Sequence, residues 1–176
     1  GGLLEASGAG EFFIKVAIAL GGKTRSGAAQ AAVIGSGLVG SINGSAVANV
    51  ASTGTFTIPM MKDRGYEPHY AGAVESVAST GGMIMPPIMS GIIGVPYAKI
   101  ALCAVIPALF YYVTCGVSVH LRALRNGFKP LPDELIPNKK ELFKKDGIFF
   151  LPLLAIIILL MSGTSVMRSA FLGGIV

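Results

Sequence analysis

Apolar runs alternate along this chain with short polar stretches, and two of the runs are broken internally by small and polar residues. From Ser26 to Met61 there is no Asp, Glu, Lys or Arg, yet the stretch IGSGLVGSINGSAVAN (34–49) is dense in glycine, hydroxyl and amide side chains. Lys23 and Arg25 stand just before this run, and Lys62 and Arg64 stand just after it. Positive charge at both ends marks the cytoplasmic side of a membrane segment. A segment that begins and ends on one side must turn back inside the bilayer, and non-helical backbone survives there only when buried in protein or lining a wet cavity. The pattern therefore predicts a re-entrant helical hairpin over residues 26–61. Its limbs are expected at 27–39 and 46–61, and its tip at Ser41–Ser45. One long tilted helix is the plainer alternative, and the central Gly/Ser/Asn cluster counts against it.

A second apolar run is expected over 68–95, with Pro68 in its first turn. It is interrupted by STGGMIMPP (79–87). Proline lacks an N–H and clashes with the preceding turn, and the residue before it avoids helical geometry. This predicts a discontinuous transmembrane helix broken near mid-membrane. Residues 96–121 read as a full span, bent at Pro107. Residues 122–146 read as a basic cytoplasmic loop, 147–167 as a further span, and 168–176 as the start of a next element. At the other end, residues 1–25 read as a connector followed by a short amphipathic helix, Glu11–Leu20. Phe12, Phe13, Val16, Ala17 and Leu20 would share one face of it, and Glu11 and Lys15 would pair at i,i+4. Ten residues cannot span a bilayer, so an interfacial position is expected.

Composition fits this picture. Of 176 residues, 52% are hydrophobic and only 13% charged, with a mean hydropathy of +0.69. Soluble domains carry about a quarter charged residues. The net charge of +5 is not a nucleic-acid signal, because the basic residues are divided among loops between apolar runs. Eleven of the fourteen lysines and arginines fall immediately before the hairpin (Lys23, Arg25), immediately after it (Lys62, Arg64) or within 122–146, all on one side in this topology. The expected fold class is an all-α polytopic membrane protein with a re-entrant hairpin plus a discontinuous helix. Cys103 and Cys115 lie in one apolar run without metal or redox spacing and read as packing residues. With apolar sequence at its far end, the chain reads as part of a longer permease.

The chemistry concentrates in the two breaks. Ser41, Asn43, Gly44 and Ser45 at the tip, and Ser79, Thr80, Gly81 and Gly82 in the broken helix, combine hydroxyls and an amide with freed backbone groups. Half-helix carbonyls suit a small cation and half-helix N-termini suit a carboxylate. Each break alone is also what tight helix packing looks like. Glu75 is the single acid in the apolar part of the broken helix, and an ionisable group at that depth is a functional candidate. The plainer reading has it reach water or a hydrogen-bond partner about two turns from the cytoplasmic end. Asn49, Ser52, Thr53, Thr55 and Thr57 either hydrate a cavity or bond back to their own helix. No enzyme is expected: His69 lies in a polar turn and His120 at the very end of a span, so neither is placed to activate a nucleophile at depth, and no phosphate-binding loop is present.

The strings GSINGSAVANVASTGTFTIPMMKDRGY (40–66) and AGAVESVASTGGMIMPPIM (71–89) resemble the large membrane subunit of tripartite ATP-independent periplasmic (TRAP) transporters. The second string is most similar to the fused-permease branch served by TAXI-type binding proteins. The resemblance implies a multi-pass protein of the bacterial inner membrane, one repeat of an inverted-repeat, elevator-type transporter. It implies sodium-coupled import of small carboxylates, C4-dicarboxylate-like or related organic and amino acids. Sodium would be the coupling ion, with no organic cofactor. Implied partners are a TAXI-like periplasmic binding protein, a small membrane subunit (separate or fused), the permease's own second repeat and the lipid bilayer, with no nucleic acid. Residues 11–20 would be an arm between scaffold and moving domain. Sodium would use Ser41, Asn43, Gly44, Ser45, Ser79, Thr80, Gly81 and Gly82. Substrate would approach Ser41, Asn43, Gly44, Ser45, Thr80, Pro86 and Pro87. An ion-coupled anion transporter without a binding protein, and a non-transporting membrane scaffold subunit, are the competing readings.

Overall fold

In the computed structural model, residues 9–43, 45–84, 97–138 and 142 are described. Pro86, Pro87, the expected second half of the 68–95 helix and the expected 147–167 span lie outside these residues. Five α-helices and no strand occur among the described residues. They are α1 (Ala9–Gly21), α2 (Gly27–Asn43), α3 (Ala46–Lys62), α4 (Pro68–Thr80) and α5 (Tyr97–Arg125). A 3-10 turn, Gly81–Ile84, continues α4, and another, Asp133–Leu135, follows α5.

Helices α2 and α3 lie antiparallel, since Ser36 meets Thr53 while Gly40 meets Asn49. Each has 17 residues, about 25 Å of helix, less than the ~30 Å hydrocarbon core of a bilayer. The turn between them is tighter than the sequence suggests. Helix α2 does not stop at Val39 but continues through Asn43, so Ser41 and Asn43 are helical and only two residues separate α2 from α3. Backbone groups shielded from water keep their helical partners for as long as the chain allows. Ser45 is extended (φ −112°, ψ 115°) and its Oγ accepts from Ala48 N, capping α3. Pro68 opens α4, where its missing N–H leaves nothing unsatisfied.

Helices α3 and α5 end alike. Gly65 (φ 90°) and Gly127 (φ 65°) take the left-handed conformation of a Schellman cap. Tyr66 N returns to Met61 O at 3.2 Å, and Phe128 N returns to Ala123 O at 3.1 Å. Helix α5 therefore runs to Arg125, past the expected end at residue 121. This places Arg122 and Arg125 in its last turn, beside the partial negative charge of the helix C-terminus. The helix passes through Pro107.

The main core lies between these helices, with Ala28, Ala29, Ala32 and Val33 of α2 against Met61, Ala71, Val74, Ala78 and Val119. Alanine over so much of the contact lets the helix axes approach closely. Helix α1 packs beside α2 and is buried more widely than its expected face. Phe12, Phe13, Ile14, Val16, Ala17 and Ala19 are all covered, whereas Leu20 is 58% exposed. Glu11 and Lys15 do pair, at 2.9 Å. Cys103 is exposed rather than packed, and Cys115 is half-buried.

Three basic segments gather at one end of the molecule. Ser26 Oγ lies 3.0 Å from His120 Nδ1, and Leu131 N bonds Gly22 O. The Tyr66 ring packs 4.0 Å from that of Phe128, and Arg122 stacks 4.4 Å over Tyr70. Within α5, Cys103–Arg125 is long and apolar enough to cross a membrane, alone among the described residues. Its outer side exposes Val105, Ile106, Leu109, Phe110, Val113, Val117 and Leu121.

Candidate functional site at the junction of hairpin and broken helix

The far end of α4 is where the chain's polar groups converge. Glu75, completely buried, faces both limbs of the hairpin. Ser36 Oγ of α2 donates to its Oε1 at 2.7 Å. From α3, Thr53 donates to Oε1 and Thr57 to Oε2. Ser79, one turn along α4, donates to Oε1 at 3.1 Å. Both carboxylate oxygens thus act as acceptors, and one side chain ties α2, α3 and α4 together. Thr53 and Thr57 also lie within reach of the carbonyls one turn back in α3, at 2.8 and 3.0 Å. Each hydroxyl carries one proton, so at any moment it serves either the Glu75 carboxyl or the α3 carbonyl. Among the described residues no Lys or Arg pairs with Glu75.

The surrounding sequence makes this possible. Asn49, Thr53 and Thr57 follow one another at i,i+4 and form one buried stripe of α3. Asn49 Nδ2 donates to Ser36 O at 2.8 Å, across the hairpin. Above this layer, α2 meets the 3-10 turn backbone to backbone. A Cβ built on Gly82 would lie 2.9 Å from Gly40 Cα, and one on Gly40 would lie 3.0 Å from Gly82 Cα. Two α5 tyrosines close the break from the other side, where the last carbonyls of α4 have no partner within the helix. Tyr111 donates to Val77 O at 2.5 Å and Tyr112 to Ala78 O at 3.3 Å. A Cβ on Gly81 would lie 2.6 Å from Tyr112 Oη.

The residues singled out in sequence separate into groups. Ser79, Gly81 and Gly82 are buried at the junction. Ser41 is in the last turn of α2 and its Oγ bonds back to Leu38 O at 2.6 Å. Thr80 is exposed and bonds back to Ser76 O at 2.8 Å. Ser45 is an exposed helix cap, Asn43 lies in the helix end, and Gly44, Pro86 and Pro87 are outside the described residues. Glu75 is shielded from solvent and has hydrogen-bond partners on three helices. Ser52 and Thr55 bond back to their own helix. Sequence reasoning passed over Ser36, Gly40, Tyr111 and Tyr112, and did not connect Thr53 and Thr57 to Glu75. The i,i+4 spacing of Asn49, Thr53 and Thr57 was the available signal for a shared polar face.

This arrangement holds a carboxylate, hydroxyls and freed backbone carbonyls in a water-poor junction, the donor set of a small hard cation. No group of three or more His, Cys, Asp or Glu suited to a transition metal occurs among the described residues. An apolar groove of about 710 Å³ runs beside the junction between α2 and α5, from Ser41 to Gln30 and His120.

Comparison with known proteins gives the chain a family. The family model described as "Tripartite ATP-independent periplasmic transporter, DctM component" matches residues 1–176. The chain is 28% identical over 162 residues to the C4-dicarboxylate TRAP transporter large permease protein DctM of Vibrio cholerae, covering 88% of this chain and 35% of that protein. It is 28% identical over 114 residues to a Haemophilus influenzae protein named as a TRAP transporter large permease, covering 62% of this chain and 27% of the relative. The chain therefore spans about a third or less of the length of these relatives. A match along its whole length leaves one assignment: the chain belongs to the family of the DctM component of tripartite ATP-independent periplasmic transporters.

Proposed function

We propose that this chain forms the first of two inverted repeats in the permease of a sodium-coupled, binding-protein-dependent importer of small carboxylates. The observation that carries the proposal is the meeting of hairpin and helix break at Gly40 and Gly82, in a chain of this family. Two interrupted helical elements that touch at mid-depth give a transporter its ion and substrate site. Sodium binds at the hairpin end and the break, around Ser41–Ser45 and Ser79–Gly82. The carboxylate approaches the same ends, where helix N-termini favour negative charge. The basic end of the molecule faces the cytoplasm of the bacterial cell, by the positive-inside rule. A TAXI-like periplasmic protein delivers substrate, a small membrane subunit completes the permease, and the hairpin and broken helix move together as an elevator. The name of the Vibrio cholerae relative, a C4-dicarboxylate transporter, supports the carboxylate class.

The test is uptake by the full-length permease in proteoliposomes, with and without its binding protein and with sodium replaced by choline. Wild type is expected to require both. Asn43→Ala and Ser45→Ala should abolish sodium-dependent uptake at normal expression. Ser45→Gly, which keeps most of the capping energy, separates a lost ligand from a lost cap. Unchanged uptake in all three variants overturns the assignment of the hairpin end, and uptake without the binding protein overturns the delivery step.

A further inference from the structure

The Glu75 cluster contains one buried oxygen that nothing satisfies. Asn49 is completely buried, its Nδ2 donates to Ser36 O, and its Oδ1 has no partner among the described residues. The amide cannot be reversed, because that would set its oxygen against the Ser36 carbonyl. A buried acceptor left in this state is destabilising, and such an oxygen usually marks an ordered water or an ion.

Charge decides between the two. Ser36 bonds Asn49 through its carbonyl and Glu75 through its hydroxyl. Thr53, one turn from Asn49 on the same stripe, also bonds Glu75. The orphan oxygen therefore belongs to an amide one residue removed from a buried carboxylate, and that carboxylate has no cationic partner among the described residues. Buried charges are normally paired or bind metal. Location points the same way: Asn49 Nδ2 lies 3.0 Å from the Cβ position of Gly40, which packs on Gly82. The amide thus stands where α2 meets the helix break. Oxygen donors with a single carboxylate suit a monovalent cation better than a divalent one, which gathers more charged ligands.

We propose that Asn49 Oδ1 is a ligand of a monovalent metal cation bound beneath the Gly40–Gly82 contact, with Glu75 supplying the compensating charge through Ser36 and Thr53. The inference rests on the sodium-coupled reading and extends the ion site one turn into α3, to a residue that reading does not use.

The experiment is thermal unfolding of the full-length permease in detergent as NaCl replaces choline chloride at constant ionic strength. Wild type should be stabilised by sodium with a defined half-effect concentration, as mass action requires for a ligand of the folded state. Asn49→Leu, which removes the oxygen at similar volume, should raise that concentration at least tenfold. Asn49→Asp, which keeps an oxygen and adds charge, should hold or lower it. Glu75→Gln should raise it. A folded Asn49→Leu protein with the wild-type half-effect would mean that Oδ1 holds water, and the proposal falls. Should Asn49→Leu fail to fold, a raised half-effect in Asn49→Asp overturns the proposal by itself, while a held or lowered one supports it. A wild type indifferent to sodium sinks the coupling reading and this inference together, whereas a sodium-responsive wild type with indifferent variants sinks only the inference.

Discussion

Gly40 and Gly82 touch through their backbones, so closely that a methyl group on either would overlap the other's Cα. Neither neighbour is a flexible side chain that could swing away. Gly82→Ala must therefore push the helix break off α2, and with it the layer that carries Ser36 and Asn49. We expect Gly82→Ala and Gly40→Ala to lower transport by the full-length permease at least tenfold, with lowered thermal stability. Gly72 is the control: it lies inside α4 with nothing within 4 Å of its Cβ position. Gly72→Ala should leave uptake unchanged and raise stability by up to ~1 kcal/mol, the helix-propensity gain. Equal behaviour of Gly72→Ala and Gly82→Ala in uptake assays would refute the close-contact argument.

Glu75 holds three helices through hydroxyl groups, and this coupling is measurable. Ser36→Ala removes one donor and should cost about 1 kcal/mol. Glu75→Gln replaces an acceptor oxygen by a donor amide that faces hydroxyls, and should cost about 1–3 kcal/mol. Thr53 and Thr57 soften the loss, because each can return its proton to the α3 carbonyl one turn back. Once Glu75 is Gln, the Ser36→Ala change should matter less. A double-mutant cycle read from denaturation midpoints should give a coupling of about 0.5–2 kcal/mol. Strict additivity would show that Ser36 and Glu75 do not bond.

The unequal legibility of this site in the sequence has a physical basis. The change from α-helix to 3-10 turn at Gly81–Ile84 was visible because glycine announces departures from regular helix at its own position. The Schellman glycines and the Pro68 start are equally local. The partners of Glu75 were not visible, because they depend on which faces of α2, α3 and α4 meet, and that is fixed by alanine packing far along the chain. The sequence points to a tip at Ser41–Ser45 because Ser, Asn and Gly favour turns in water. In a dry setting the helical bond is retained through Asn43, and the Ser41 hydroxyl bonds back to Leu38 O. Polar sequence puts the expected end of α5 at residue 121, although Arg122 and Arg125 are well placed in a last turn.

The three basic segments converge at one end of the fold, which makes topology testable independently of transport. Thr24 and Asp63 are both exposed there. In a full-length protein whose Cys103 and Cys115 are replaced by Ala, Thr24→Cys and Asp63→Cys should react with an impermeant maleimide only from the cytoplasmic side. Labelling of the two from opposite sides would turn the hairpin into a plain crossing and remove the re-entrant geometry.

Tyr66 offers a pH test at the same end. Its ring packs on Phe128, it is 3% exposed, and its hydroxyl has no partner among the described residues. Burial, with a smaller contribution from the neighbouring Tyr70, pushes its phenol up to about 12. The folded protein thus holds this proton more tightly than the unfolded chain, whose tyrosines titrate near ~10. The resulting stability is complete below about pH 10 and is lost as pH rises toward 12. Tyr66→Phe removes an unsatisfied buried hydroxyl and should keep or slightly raise the unfolding temperature at pH 8, since losing such a group is close to neutral. Between pH 10 and about 12 the variant should gain steadily on wild type, because one ionisation that opposes folding is gone. Unfolding midpoints of the two proteins followed across this range decide the matter: parallel curves would show that Tyr66 is open to solvent when folded.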